Sequence, residues 1–435
     1  MKTPPRLTAS GPLLAVTGGV TLVAWSALAW RSHGGGAPLG WMLVTMGVTW
    51  AALFWAIPHA VLRDSPGILC FGLAFRLVAL AAQPVMEDDH YRFLWDGYRF
   101  SATGSPYAEA PRERFGDPTV PREFQPILDG LNHPDVPTIY GPLTEWAFRI
   151  CHAIAPAKLW PWKWVLLGAD LTVLLLLWAD LNVRGRLLLA WCPLVIFETG
   201  FNAHPDVLAI ALIIAAWALR RRGWPVTAGA VAGLAITAKV FSLLLVPFVL
   251  WRIGWRAWLA ALAAVVALYG PFWLDGSAAD FAGLRAMAGE WEFNSSLHAV
   301  VAAATSPNAA RVACGLAFGA LWLVLLARWR SAVSDVTSNR LPPGEWVYGA
   351  FLLLSAVANP WYALWLWPFV ATRISATGCC ALVAVSLTYV TGLNLGDAAL
   401  GNFGHPWWVR PVEFGAIALV AVWEWQKRKP AHEPH

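Results

Sequence analysis

Glu87-Asp88-Asp89-His90-Tyr91-Arg92-Phe93-Leu94-Trp95-Asp96-Gly97 follows closely on an apolar run, residues 66–84, and opens the longest polar segment of the chain. An apolar run of that length crosses a bilayer as a helix. Three consecutive acids just past its end are costly beside lipid, because each carboxylate resists desolvation and the three repel one another. Such a cluster persists where it faces water, a cation or a reacting substrate. Two expectations follow. The fold is a membrane fold, and its working edge lies just beyond the third crossing.

Composition agrees with a membrane fold. Of the 435 residues, 58% are hydrophobic and 13% charged, and soluble domains carry about twice that share of charge. Apolar runs extend from end to end, so residues 1–435 read as a single integral membrane domain, all-α and polytopic. The 29 Trp suit membrane–water interfaces, and Trp also serves sugar clefts as a stacking platform. A net charge of +5 does not imply nucleic acid, because the basic residues sit in short loops rather than on one face. Cys70, Cys151, Cys192, Cys314, Cys379 and Cys380 lie in or beside apolar segments, without the spacing of a disulfide framework or zinc site.

The first three spans are 12–30, 39–62 and 66–84. Residues 11–30 are too long for the core of a cleaved leader and read as a span. With Lys2, Arg6 and Arg63 on the cytoplasmic side, the third span emerges outside, followed by an outer loop over 85–157. Within that loop, 139–155 is apolar but broken by Glu145, Arg149 and His152, so it lies along the interface. Residues 158–181 return inward, 187–201 go out, Asn202-Ala203-His204-Pro205-Asp206 turns, and 207–219 return to Arg220-Arg221-Arg222. Residues 224–251 are flanked by arginines at both ends, which one crossing cannot satisfy. Two half-spans meeting near Lys239 can, with Pro247 helping to break the helix. Spans 258–274, 309–326, 376–393 and 409–425 follow, with outer loops at 275–298 and 394–406 and a short pair, 346–358 and 361–372. The total is about thirteen spanning or half-spanning helices with both termini cytoplasmic. The two halves share no loop pattern of the transporter kind.

The run from Asp88 to Gly97, followed by Gly104-Ser105-Pro106-Tyr107 and Ala110-Pro111, resembles the first-loop signature of bacterial GT-C glycosyltransferases. Asn132-His133-Pro134, Thr138-Ile139-Tyr140-Gly141-Pro142, Trp191-Cys192-Pro193-Leu194, Asn202 to Asp206, Ala238-Lys239, Glu292-Phe293-Asn294 and Asn359-Pro360-Trp361-Tyr362 extend the likeness in order over most of the chain. The group it is most similar to is the mannosyltransferase-like (GT87-type) membrane proteins that use polyprenyl-phosphate sugars. Gly141 stands where that group usually has a second proline, and Cys192 where it usually has Asn.

The resemblance implies a hexosyltransferase of the bacterial inner membrane with its active site facing the periplasm. The donor would be a polyprenyl-phosphate sugar, mannose first, and the acceptor a glycan, lipid or other hydroxyl. Asp89 or Asp88 is then the general base; capping the helix or pairing with Arg92 is the plainer role for either. Lys239, Arg92 and Arg285 are candidates for the donor phosphate, an ammonium at membrane depth being expensive unless paired. Asp96, Tyr140, His204, Asp206, Glu292, Asn294, Trp361 and Tyr362 are candidates for substrate contacts. Asp96 shares a helix face with Arg92 and Asp89 and equally suits a structural pair. No cofactor is expected. Glu87, Asp88 and Asp89 suit a hard divalent cation, but a lipid phosphate leaves without one, so metal-independent transfer ranks first. Two other functions fit the same residues: a transporter or flippase of lipid-linked sugars, for which Asp170 and Asp180 are the intramembrane acids, and a related transferase for aminoarabinose or arabinose.

Overall fold

The computed structural model describes residues 10–34, 38–277, 281–333 and 338–428. Lys2, Arg6 and Lys429, which bear on the placement of the termini, lie outside the described residues. Among the described residues the secondary structure is helical, apart from one bridge between Phe293 and Val357.

Among the described residues six helices are long and apolar enough to cross a bilayer: Gly11–Ser32, Leu39–His59, Leu62–Ala81, Trp160–Asp180, Trp255–Leu274 and Pro307–Ala332. Val183–Phe201 and Asp206–Arg221 form a bent pair that turns by 120° at the break between them. Pro225–Ala238, Gly344–Leu354 and Ala376–Tyr389 are shorter apolar helices. The chain is an all-α polytopic membrane protein.

The breaks are built rather than accidental. Helix Pro225–Ala238 stops because Lys239 is extended (φ −150°, ψ 125°), and a short 3₁₀ turn, Val240–Leu244, carries the chain on to Val246–Val249. The two half-spans expected here therefore meet at Lys239. Residues 376–393, expected as one span, are instead helix Ala376–Ala384 followed by the 3₁₀ turn Val385–Tyr389. The loop expected over 275–298 contains a helix, Ala282–Gly289.

Buried charge locks the bundle. Arg76 donates to both carboxylate oxygens of Asp170 (2.5 and 2.9 Å) and to the carbonyls of Gly72 and Ala190 (3.0 and 2.5 Å). One guanidinium thereby joins three helices in a setting where neither charge has water, and a fork-to-carboxylate pair is the geometry that makes such burial tolerable. Lys163 Nζ donates to the carbonyls of Ala79 and Ala82 (3.3 and 2.6 Å), filling the open end of helix Ser65–Ala81.

Outside the bundle, the helix that carries the acidic motif, Asp89–Thr103, packs on the amphipathic helix Pro142–Ile154. Gly97 permits the approach: a Cβ there would lie 2.6 Å from the Phe148 carbonyl oxygen. Phe93 stacks on Phe148 with ring centroids 5.2 Å apart. The second contact is Gly141, where a Cβ would overlap the Thr237 carbonyl. Thr144 Oγ1 donates to the Ala238 carbonyl at 2.9 Å beside it. The motif helix is thus held, through its partner helix, against the chain leading directly into Lys239.

Candidate active site

Asp88 precedes the first turn of the motif helix and Asp89 begins it. Asp88 does not cap the helix with its side chain. Its Oδ1 accepts from Asn132 Nδ2 at 2.5 Å, and the same amide donates to Asp89 Oδ1 at 3.1 Å. Arg92 fastens the segment around Asn132, donating to the carbonyls of Asn132, His133 and Val136 at 3.4, 3.0 and 3.2 Å. Burial, followed by the neighbouring Asp89 charge, pushes the Asp88 carboxyl up to about 6. Burial, followed by the charges of Asp89, Asp88 and Glu198, holds Glu87 well above the usual carboxylate range.

Asp88 and Asp89 line a cavity of about 500 Å³, a size that suits small-molecule recognition. Lys239, Tyr140, Trp361 and Tyr362 line the same cavity, as do Glu292 and its neighbour Trp291. Lys239 Nζ donates to Asp206 Oδ2 at 3.2 Å and lies 5.6, 5.5 and 5.2 Å from the ring centroids of Tyr140, Phe241 and Tyr362. Ring faces and one carboxylate are the partners that make an ammonium tolerable at depth. His133 stacks between Trp291 and Phe403 (centroids 4.2 and 5.6 Å away) on the cavity wall.

Behind the acids, helix Val183–Phe201 ends in a π-helical stretch, Ile196–Phe201; such insertions often mark functional sites. The following break presents each polar side chain to a partner. Asn202 Oδ1 accepts from the Val85 N–H at 3.1 Å, tying down the loop that leads to Glu87. His204 is fully buried, with Nδ1 3.0 Å from Glu198 Oε2, Nε2 3.7 Å from Asp89 Oδ2, and its ring stacked on Trp361 at 3.9 Å. Asp206 holds Lys239 and accepts from Trp365 Nε1 at 2.8 Å. Met86, His133, Ala203 and Asn294 have positive φ (67°, 44°, 64° and 47°). For residues other than glycine that backbone costs energy, and Met86 and His133 are on the cavity wall.

Residues 7–255 match the family model described as "Alpha-(1->6)-mannopyranosyltransferase, N-terminal domain". The chain belongs to this mannosyltransferase family. The match spans both acids, His204, Asp206 and Lys239, whereas Glu292, Trp361 and Tyr362 come from beyond it. No curated protein and no solved structure is a significant match to the mannosyltransferase.

Of the residues singled out in the sequence, Asp88, Asp89, Arg92, Tyr140, Lys239, Glu292, Trp361 and Tyr362 meet at the cavity. Asp96, His204, Asp206, Asn294 and Arg285 do not line it. Asp96 is buried between Arg92 (3.9 Å) and Glu145. His204 and Asp206 stand behind Asp89 and Lys239. Asn294 is buried, donating to Thr388 Oγ1 and Glu413 Oε1 at 2.9 and 3.0 Å. Arg285 lies on helix Ala282–Gly289. Glu198 and Tyr389 went unread. Tyr389 Oη donates to both Glu198 oxygens at 3.0 Å. Glu198 had a signal, being a carboxylate inside an otherwise apolar span.

Proposed function

We propose that the mannosyltransferase inverts configuration, drawing mannose from a polyprenyl-phosphate carrier. It passes the sugar to a hydroxyl of a glycan or lipid acceptor at the outer face of a bacterial cytoplasmic membrane. One carboxylate of the Asp88–Asp89 pair takes the proton of the acceptor hydroxyl. The acceptor oxygen bonds to the anomeric carbon as the bond from that carbon to the phosphate oxygen breaks, and the electron pair leaves with the lipid phosphate. A phosphate whose second pKa is about 6 departs without being protonated, so no second carboxyl acid is needed, unlike the case of a glycosidase. Lys239 faces the departing charge. Attack opposite the phosphate turns a β-linked donor into an α-linked product, in keeping with the family's description.

The observation that carries this reading is that an acid pair and a buried, ring-boxed ammonium share one cavity beside a membrane bundle. The outer-face assignment rests on the arginine-rich loops at the ends of the spans away from the acids. The test is turnover of labelled polyprenyl-phosphate-mannose by the purified chain in nanodiscs, with mannoside acceptors. NMR of the product should report an α linkage. No transfer by wild type, or transfer undiminished in both Asp88→Asn and Asp89→Asn, overturns the proposal.

A further inference from the structure

We infer that Glu87, Asp89 and His204 form a binding site for one divalent cation at the cavity wall. Their ligand atoms lie within 4.8 Å of one another. Cis and trans pairs around a bound ion stand about 3 and 4.2 Å apart, from metal–ligand lengths of about 2.1 Å, so loading draws the group in by about 0.6 Å at its widest.

Proximity of acids alone would carry nothing; the histidine decides it. Glu198 Oε2 lies 3.0 Å from His204 Nδ1, and Glu198 also accepts from Tyr389 Oη at 3.0 Å and Asn202 Nδ2 at 3.4 Å. A carboxylate collecting donors in this way makes Nδ1 the protonated nitrogen and leaves a lone pair on Nε2. That nitrogen is fully buried, has no hydrogen-bond partner among the described residues, and is aimed at Asp89 Oδ2 at 3.7 Å. Lone pairs from an imidazole and two carboxylates thus converge, with no donor between them among the described residues. A cation resolves the convergence, and carboxylate–imidazole–metal is the arrangement in which an outer carboxylate orients a ligating histidine. Two oxygens and one nitrogen suit Mn²⁺ or Zn²⁺ better than Mg²⁺. Asp88 stands apart from the set, its Oδ1 on Asn132. With Asp89 on the cation, Asp88 is the carboxylate left for the acceptor proton.

The inference extends the transferase reading but is tested without any sugar, so either can fail alone. Full-length protein in zwitterionic-lipid nanodiscs is stripped with chelator and titrated with Mn²⁺, and bound ion is followed by electron paramagnetic resonance. One Mn²⁺ per chain is expected, with ¹⁴N modulation from a coordinated imidazole. His204→Gln should abolish the nitrogen signal. Glu198→Gln should weaken binding about 10- to 100-fold. Should His204→Gln fail to fold, Glu87→Gln, on the cavity surface, should weaken Mn²⁺ at least as much. Saturation without nitrogen coupling, or equal affinity in wild type and Glu87→Gln, overturns the site and assigns the convergence to a shared proton instead.

Discussion

Lys239 Nζ lies 3.2 Å from Asp206 Oδ2, joining the start of helix Asp206–Arg221 to the end of helix Pro225–Ala238, where Lys239 meets the cavity. Both groups are nearly inaccessible, at 8% and 0% exposure, so the pair is a mutual requirement. Removing one partner leaves the other charged and buried, at a cost of about 3–5 kcal/mol. Asp206→Ala should therefore lower the unfolding temperature, read from the intrinsic Trp fluorescence. Adding Lys239→Met to it should restore part of that stability without restoring transfer. Recovery of turnover in the double variant would remove Lys239 from the phosphate.

Asp88 and Asp89 are adjacent but differently held, one by Asn132 alone and the other between Asn132 and His204. Asp88→Asn should lower kcat by about 10²–10⁴-fold, the usual contribution of a general base, with Mn²⁺ affinity kept. Asp89→Asn should lose both. Activity and metal titration on the same two preparations distinguish base from ligand; identical phenotypes would mean that the pair works as one unit.

Asp96 and Glu145 meet between the motif helix and its partner helix, with Thr138 Oγ1 donating to Glu145 Oε1 at 2.7 Å. Burial holds both carboxyls above their ordinary values of 3.8 and 4.5, and for Glu145 the Asp96 charge adds to it. A carboxyl raised on folding binds a proton more tightly in the native state. Its stabilising contribution is therefore complete below the unfolded value and is lost as pH rises through the folded one. Thermal stability should fall from pH 4 upward, and Asp96→Asn or Glu145→Gln should flatten that fall. An unchanged slope in both variants would mean that the pair holds no extra proton.

The architecture was legible because the driving pattern is one-dimensional. The longest apolar runs, 12–30, 39–62, 66–84, 158–181, 258–274 and 309–326, stand out as long apolar helices, and the arginines on both sides of residues 224–251 were enough to locate the break at Lys239. The motif helix and the cavity-lining aromatics of Asn359-Pro360-Trp361-Tyr362 were also readable. What sequence order conceals is which side chain stands in front. His204 and Asp206 share the cavity's polar chemistry yet serve it from behind, because a positive φ at Ala203 and the 120° turn send them inward. Asp170, on which a transporter reading leaned, is matched in the structure by Arg76, 94 positions earlier. A partner at that separation leaves no local trace.

Gly141 yields the last prediction. The likeness to related transferases leads one to expect proline here, and the structure supplies a reason for a residue without a side chain: a Cβ at this position would overlap the Thr237 carbonyl, two residues before Lys239. Its φ of −75° is accessible to any residue, so the constraint is contact and not backbone freedom. Gly141→Ala must push helix Pro142–Ile154 away from the end of helix Pro225–Ala238, stretching the Thr144–Ala238 hydrogen bond of 2.9 Å. Overpacking of this kind costs about 1–3 kcal/mol. Because Tyr140 and Lys239 both line the cavity beside this contact, kcat/KM should drop by more than the folded fraction does. Gly97→Ala, which separates the same partner helix from the motif helix instead, should move Asp88 and Asp89 while leaving Lys239 in place. Turnover measured per folded molecule should fall in both variants, and a loss confined to folded yield would show that the two contacts only support the fold.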